Sequence, residues 1–317
     1  MMIDIAARGG RTPARRAAYR LTIRQREWLT GYLFLAPWIV GFTVFVAGPT
    51  LASLALSLTR YDVLRPPVFI GLSNYLRAFG SDPQFWGSLL KTVYFALLMV
   101  PAAITAALGL ALLLNRPSRG VAIFRSAYFM PHLVPIAAAA VIWLWILDPR
   151  YGPLNALLAW LGIDGPGWLT STEWAIPGIA MIALWMAAGG NTMIIFLAAL
   201  QGVPRELHEA ARIDGAGAWH RFRHVTLPMI SPALFFNLIL AVIAALKVFT
   251  IPLVATGGGP AYATYFYALH VYKQGFEFFN MGYAAALAWI LLVIVMTLTW
   301  IQFRLRRRWV HFEDEAG

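Results

Sequence analysis

The stretch VYFALLMVPAAITAALGLALLL, Val93 to Leu114, runs for twenty-two residues without a charged side chain. A helix needs about 20 mostly apolar residues to cross the hydrocarbon core of a bilayer. In lipid the backbone must satisfy its own hydrogen bonds, so such a stretch is a helix. Five further blocks have the same character, at 33–58, 127–147, 176–200, 233–254 and 283–303. The block at 33–58 is too long for the roughly 7–15-residue apolar region of a cleaved signal and reads as a retained first span. The chain as a whole is 60% hydrophobic and 12% charged over 317 residues. A soluble domain of that size carries about 25% charge. The reading is an all-α polytopic membrane protein with six transmembrane helices, in which Pro37, Pro49, Pro101, Pro135 and Pro252 kink or end helices locally.

Between the blocks, Lys and Arg divide unevenly. Residues 1–30, the loops at 115–126 and 201–227, and the tail 304–317 together hold eighteen. The alternate loops at 59–88, 148–175 and 255–281 hold five, which predicts both termini in the cytoplasm. Trp28, Trp86, Trp160, Trp168, Trp174 and Trp309 fall near span ends, as interfacial aromatics do. The chain then divides into a basic cytoplasmic segment (1–30), a membrane domain (31–303) and a cytoplasmic tail (304–317). The arginines of the first segment, Arg8, Arg11, Arg15, Arg16, Arg20, Arg24 and Arg26, read as a topology anchor, with a lipid-headgroup or regulatory segment as the alternative. Although the net charge is +11, the arginines form no stripe, so nucleic acid is not an expected partner. In the loop 148–175, Leu154, Leu157, Leu158 and Leu161 have the spacing of a short helix on the membrane surface.

The loop 201–228 is the most informative connector. Pro204 suits a first helical turn, Glu206 and Glu209 lie where the helix dipole favours acids, and Gly215 can stop the helix in a left-handed cap. A second amphipathic stretch sets Ala218, Trp219, Phe222 and Val225 against Arg221, Arg223 and His224. On periodicity alone this elbow is either a knob for a partner's groove or a loop lying at the headgroups.

Its residues carry a resemblance. Glu209-Ala210-Ala211, Gly215 after three residues, then Val225-Thr226-Leu227-Pro228 after nine more resemble the EAA loop of ATP-binding-cassette importer permeases, with Val225 where Ile is usual. The string from Ala211 to Ala216 is similar to the sugar-importer branch. Phe69 to Tyr75, Arg125 to Pro135, Asp148 to Asn155, Thr256 to Pro260 and Gln302-Phe303-Arg304 resemble other segments of that family, so the likeness covers about residues 30–312. It is nearest to the subunit type of the larger maltose-importer permease, without that subunit's extra spans and large periplasmic insertion. One departure is Thr250, where the family often has an Asp.

The resemblance implies the type I importer fold. Two permeases pair, two ATPase subunits bind below and use ATP and Mg, and an extracytoplasmic solute-binding protein docks above. Glu209 would be the charge contact with a basic ATPase residue, Ala210 and Ala211 would allow close approach, and Gly215 would make the turn. Leu227 and Pro228 would lead back to the membrane, with Trp219 and Phe222 anchoring the second helix. It also implies alternating access for a carbohydrate, with a glycerol-3-phosphate or other small-solute importer as the alternative.

No catalytic set is expected in the chain itself. There is no Walker A motif, no cysteine, no carboxylate in a span, and no metal-ligand spacing among the six histidines. That leaves no cofactor for this chain, and a solitary secondary transporter or channel would want buried acids or repeats that the sequence lacks. Candidates for the solute path are Leu184, Trp185, Asn191, Asn237, Ala241, Ala245 and Lys247. Trp185 and Asn191 suit the apolar face and the hydroxyls of a sugar, and Lys247 would hold an anionic group or snorkel outward. Thr192 is a further polar residue within a span.

Overall fold

The computed structural model describes residues 22–116 and 119–306. Arg8, Arg11, Arg15, Arg16, Arg20, Trp309 and most of the basic tail lie outside the described residues. The chain forms two units, Met1–Ala52 and Ser53–Gly317. In the first, Thr22 opens α1 (Ile23–Phe42) with a capping box: its hydroxyl accepts from the Gln25 amide at 3.3 Å, and the Gln25 side chain accepts from the Thr22 amide at 2.9 Å. A wider π turn, Thr43–Ala47, leads to α2 (Gly48–Ser57). The helical run Ile23–Ser57 thus begins ten residues before the apolar block that announced it.

The second unit begins with a two-stranded ribbon, β1 (Thr59–Arg60) against β2 (Val68–Phe69), antiparallel with Thr59 opposite Phe69. Then come α3 (Ser73–Gly80), α4 (Phe85–Leu114), α5 (Val121–Leu133), α6 (Ile136–Ile146) and α7 (Pro153–Trp160). After these follow α8 (Ala175–Ala188), α9 (Asn191–Gln201), α10 (Arg205–Ile213), α11 (Ala218–Arg221), α12 (Leu227–Met229), α13 (Ser231–Leu246), α14 (Thr250–Ala255), α15 (Tyr267–Tyr272) and α16 (Met281–Arg306). The ribbon is tied down by Asn74, whose side-chain amide donates to the Ser57 and Thr59 carbonyls at 2.8 and 2.9 Å. The surface helix of the 148–175 loop is present as α7. Its buried contact is Asn155, which accepts from the Trp168 indole at 2.7 Å, while Leu157 and Leu161 stay exposed.

Three blocks are interrupted, one of them at the expected Pro135. Block 127–147 is α5 plus α6, bent by 98° at Val134–Pro135, and block 176–200 is α8 plus α9, bent by 44° at Gly189–Gly190. Block 233–254 is α13 and α14, interrupted at Lys247–Phe249. Proline accounts for the first break, because it disfavours helix in the residue before it. Pro37 and Pro101, in contrast, sit inside unbroken helices. Counting each bent pair as one span, the described residues hold six helical spans long and apolar enough to cross a bilayer.

Helix α4 is the axis of the unit, packed against α8, α9 and α13. Ala103, Ala107 and Ala111, four residues apart, are buried on it. In lipid there is little hydrophobic gain from helix association, so close van der Waals packing of such small residues holds the bundle. Phe95, Met99, Ile179, Ile182 and Phe266 fill one core cluster, and Ala107, Met193, Phe196 and Ile230 another.

At the end of α4 opposite the 201–228 loop, a polar clasp joins α3–α4, α15 and α16. One carboxylate oxygen of Asp82 accepts from the Tyr283 hydroxyl at 2.5 Å and from Nε2 of His270 at 2.9 Å; the other accepts from the Gln84 amide at 2.8 Å. With Nε2–H donating to Asp82, Nδ1 of His270 accepts from the Tyr265 hydroxyl at 3.2 Å. Burial pulls the His270 imidazole below its ordinary value against the opposing pull of Asp82, so the contact is a hydrogen bond from a neutral ring rather than an ion pair. Burial works to raise the Asp82 carboxyl, but the bonds from Tyr283, the Gln84 amide and His270 outweigh it and hold Asp82 low.

Both groups therefore bind protons more readily in the unfolded chain. The stability they supply is complete above His270's ordinary 6.5 and is lost as pH falls, first through His270 and then, below 3.8, through Asp82. We expect the melting temperature in detergent to drop between pH 7.5 and 5.5, with that slope flattened in His270→Gln. Asp82→Ala at neutral pH leaves Tyr283 and His270 without their acceptor and should cost about 2–3 kcal/mol. A flat pH profile in the wild type would contradict the clasp.

Candidate functional site

The elbow forms as its residues dictate. Helix α10 starts after Pro204, with Glu206 in its first turn and Arg212 in its last. It ends in a Schellman motif. The Ala216 amide donates to the Ala211 carbonyl at 2.9 Å and the Gly215 amide to the Arg212 carbonyl at 3.0 Å, while Gly215 takes φ +79. A Cβ on Gly215 would meet nothing within 4 Å, so only the backbone angle demands glycine. That separates two substitutions. Gly215→Asn, tolerated in the left-handed region, should stay within about twofold of wild-type uptake. Gly215→Val should lose about tenfold, from about 1–2 kcal/mol of backbone strain. Equal uptake by both variants, at equal membrane abundance, would remove the turn from the argument.

The chain returns through α11, a π turn at Phe222–Thr226 and α12, which carries Leu227 and Pro228. Arg221 pins the turn by donating to the Ala216 carbonyl at 2.6 Å. Between α10, α11 and the end of α4 lies a cleft of about 520 Å³, lined by Arg116, Arg205, Arg212, Arg221 and a single acid, Glu209. Glu209 makes no ion pair among the described residues, and it and Ala210 are exposed, with Ala211 half-buried. Phe222 is half-buried and lines the cleft, whereas Trp219 is 71% exposed, as is Ile213 at 87%. Trp219 thus leans on Phe222, the rings tilted by 31° with centroids 5.5 Å apart, rather than embedding in the bundle.

A second cavity, of about 690 Å³, opens among α4, α5, α8, α9, α13 and α14. Of the seven pathway candidates it gathers Asn191, Ala241, Ala245 and Lys247, together with Thr192, Thr250 and His132. The other three lie elsewhere. Helix α8 turns Ala183, Met186 and Ala187 to the cavity, leaving Leu184 against the core and Trp185 edge-on to Trp143 at 5.8 Å. Asn237 is buried and donates to its own helix at Ala233, with no partner for its Oδ1 among the described residues. Sequence reasoning passed over His132, although it is the one basic side chain in its block. The Gly189–Gly190 break places it. A Cβ on Gly189 would fall on the Tyr128 carbonyl oxygen, and one on Gly190 would stand 2.7 Å from Nδ1 of His132. The described residues hold no cluster of three metal-ligating side chains.

A bundle of apolar helices, broken at mid-span around a cavity and carrying an amphipathic elbow at one end, defines a membrane-embedded transport subunit. The chain belongs to the family of binding-protein-dependent transport system inner membrane components, whose model matches residues 85–311. It is 38% identical to the probable ABC transporter permease protein YesP of Bacillus subtilis, over 92% of this chain and 94% of that one. It is 34% identical to the sulfoquinovosyl glycerol transport system permease protein SmoG of Agrobacterium fabrum, over 88% and 91%. A solved bacterial ABC transporter involved in import of the acidic polysaccharide alginate has a chain of the same fold, with a TM-score of 0.78 at 26% identity, covering 89% of this chain and 96% of that one.

Proposed function

We propose that the chain is one of two paired permeases in an ATP-driven importer of a carbohydrate, with both termini in the cytoplasm. The observation that carries this reading is the elbow of Glu209, Ala210, Ala211 and Gly215, closed by its left-handed turn and leading through Leu227 and Pro228 into α13. The elbow offers a partner an exposed helix, and two ATPase subunits that bind ATP and Mg supply the energy this chain has no groups to harvest. Sugar transport fits a cavity that is mostly apolar with a few amides and hydroxyls, here Asn191, Thr192 and Thr250. The relatives' names support a sugar or sugar-derived solute, and a glycerol-3-phosphate importer permease is the second reading. A solute-binding protein delivers the cargo on the face carrying the Asp82 clasp. The eighteen-to-five partition of Lys and Arg puts the elbow and both termini on the other face.

The test is reconstitution of the chain with its sister permease, ATPase and binding protein in proteoliposomes. ATP hydrolysis should rise when the binding protein carries its carbohydrate. Solute movement by this chain alone, without ATP, would refute the reading.

A further inference from the structure

Lys247 is the only lysine or arginine within the blocks that span the bilayer. It ends α13, at the interruption before α14, and its ammonium has no ion pair or hydrogen bond among the described residues. The stretches 83–147, 174–205 and 215–276 contain no Asp or Glu, and every residue lining the central cavity falls within them. Among the described residues, no carboxylate lines that cavity to balance the charge. A lysine within a bilayer-spanning block is costly unless paired or hydrated, and intramembrane ionisable residues mark substrate paths.

The carbonyl end of α13 beside Lys247 offers only partial negative charge, and two other parts of the lining have the lysine's own sign. His132 shares the cavity, held there by the close approach of α5 to the Gly189–Gly190 break. Asn191 and Thr192 open α9, whose preceding Gly190 offers no side-chain cap, so the free amides of that helix end add partial positive charge to the same wall. The hydroxyl of Thr250 and the amide of Asn191 can serve sugar hydroxyls, but neither balances an ammonium.

We infer that the cavity takes a carbohydrate bearing an anionic group — a phosphate, sulfonate or carboxylate — with Lys247 as its charge partner and His132 as a second donor. This rests on the import reading above and narrows its substrate class. An ammonium paired with a passing anion is balanced only while cargo is present, which favours charged over neutral solutes in this cavity.

The experiment compares neutral disaccharides (lactose, maltose) with anionic probes (glycerol-3-phosphate, a sugar sulfonate, an oligouronate). The complete importer is assayed as wild type, Lys247→Gln and Lys247→Arg. Import of an anionic probe is expected, lowered about tenfold or more in Lys247→Gln, the worth of one charge-assisted contact, and within about threefold of wild type in Lys247→Arg. Import of any neutral solute should fall by clearly less than import of the anionic probe, and the complex should purify intact. Import restricted to neutral solutes overturns the inference and leaves the importer standing. So does an equal fall for both solute classes with loss of the sister permease, which would assign Lys247 to an acid of that subunit. If no probe drives ATP hydrolysis or uptake, the import reading fails with it.

Discussion

Gly189→Ala is expected to destabilise the native bundle strongly. The added methyl would land on the carbonyl oxygen of Tyr128, backbone against backbone, with no flexible side chain to give way. Overpacking in a tight core costs about 1–3 kcal/mol, and this site lies at or above the top of that range because α5 and the α8–α9 bend must separate. For a chain of this size the melting temperature should fall by roughly 10 °C, at about 2–4 °C per kcal/mol, and the yield of monodisperse protein should fall with it. Gly190→Ala is the control: its methyl meets the His132 ring, which can rotate, so the loss of stability should be smaller and the damage confined to the cavity. Equal melting temperatures for wild type and Gly189→Ala would mean that the two helical pairs do not approach as closely as described.

Glu209→Lys should abolish coupling while leaving the chain inserted. Among the described residues Glu209 is the only acid on a cleft that otherwise presents Arg116, Arg205, Arg212 and Arg221, and it is exposed on α10 without an ion pair there. Its reversal turns the elbow wholly cationic. Losing a charged contact at an interface, with a like charge put in its place, costs about 2–5 kcal/mol, which is more than tenfold in docking. Solute-stimulated ATP hydrolysis should drop to its basal rate, and the ATPase should no longer co-purify. Glu206→Lys, one turn earlier and outside the cleft, should do neither. Full stimulation in Glu209→Lys would remove this residue from the coupling contact.

The sequence revealed what is local. Apolar blocks announce spans because hydropathy needs no partner, and Gly215 announces a helix stop because the left-handed angle is a property of one residue. Breaks were legible only where chemistry marks them. Pro135 warned of the 98° bend, whereas the run 176–200 hides its 44° bend at Gly189–Gly190, since two glycines in an apolar stretch read as well for packing as for a hinge. Facing was less legible still. Trp185 and Ala245 both lie in apolar helices, and only the rotation of α8 and α13 against α4 decides that Ala245 reaches the cavity while Trp185 meets Trp143. The Asp82 clasp could not be read at all. Its His270 stands 188 residues away along the chain and its Tyr283 201, and no periodicity links such positions.

The interruption between α13 and α14 has a consequence beyond charge. A helix that stops and restarts leaves carbonyls at one end and amides at the other without intrahelical partners, and hydrocarbon cannot satisfy them. Lys247 to Ile251 face the cavity at that point, so these groups must be met by water or by cargo. The heart of the bundle is then wet between deliveries. A wet centre is a short circuit for protons and salt unless the ends of the route close alternately, so the barrier that preserves the membrane's ion gradients must lie above or below this cavity, never at it.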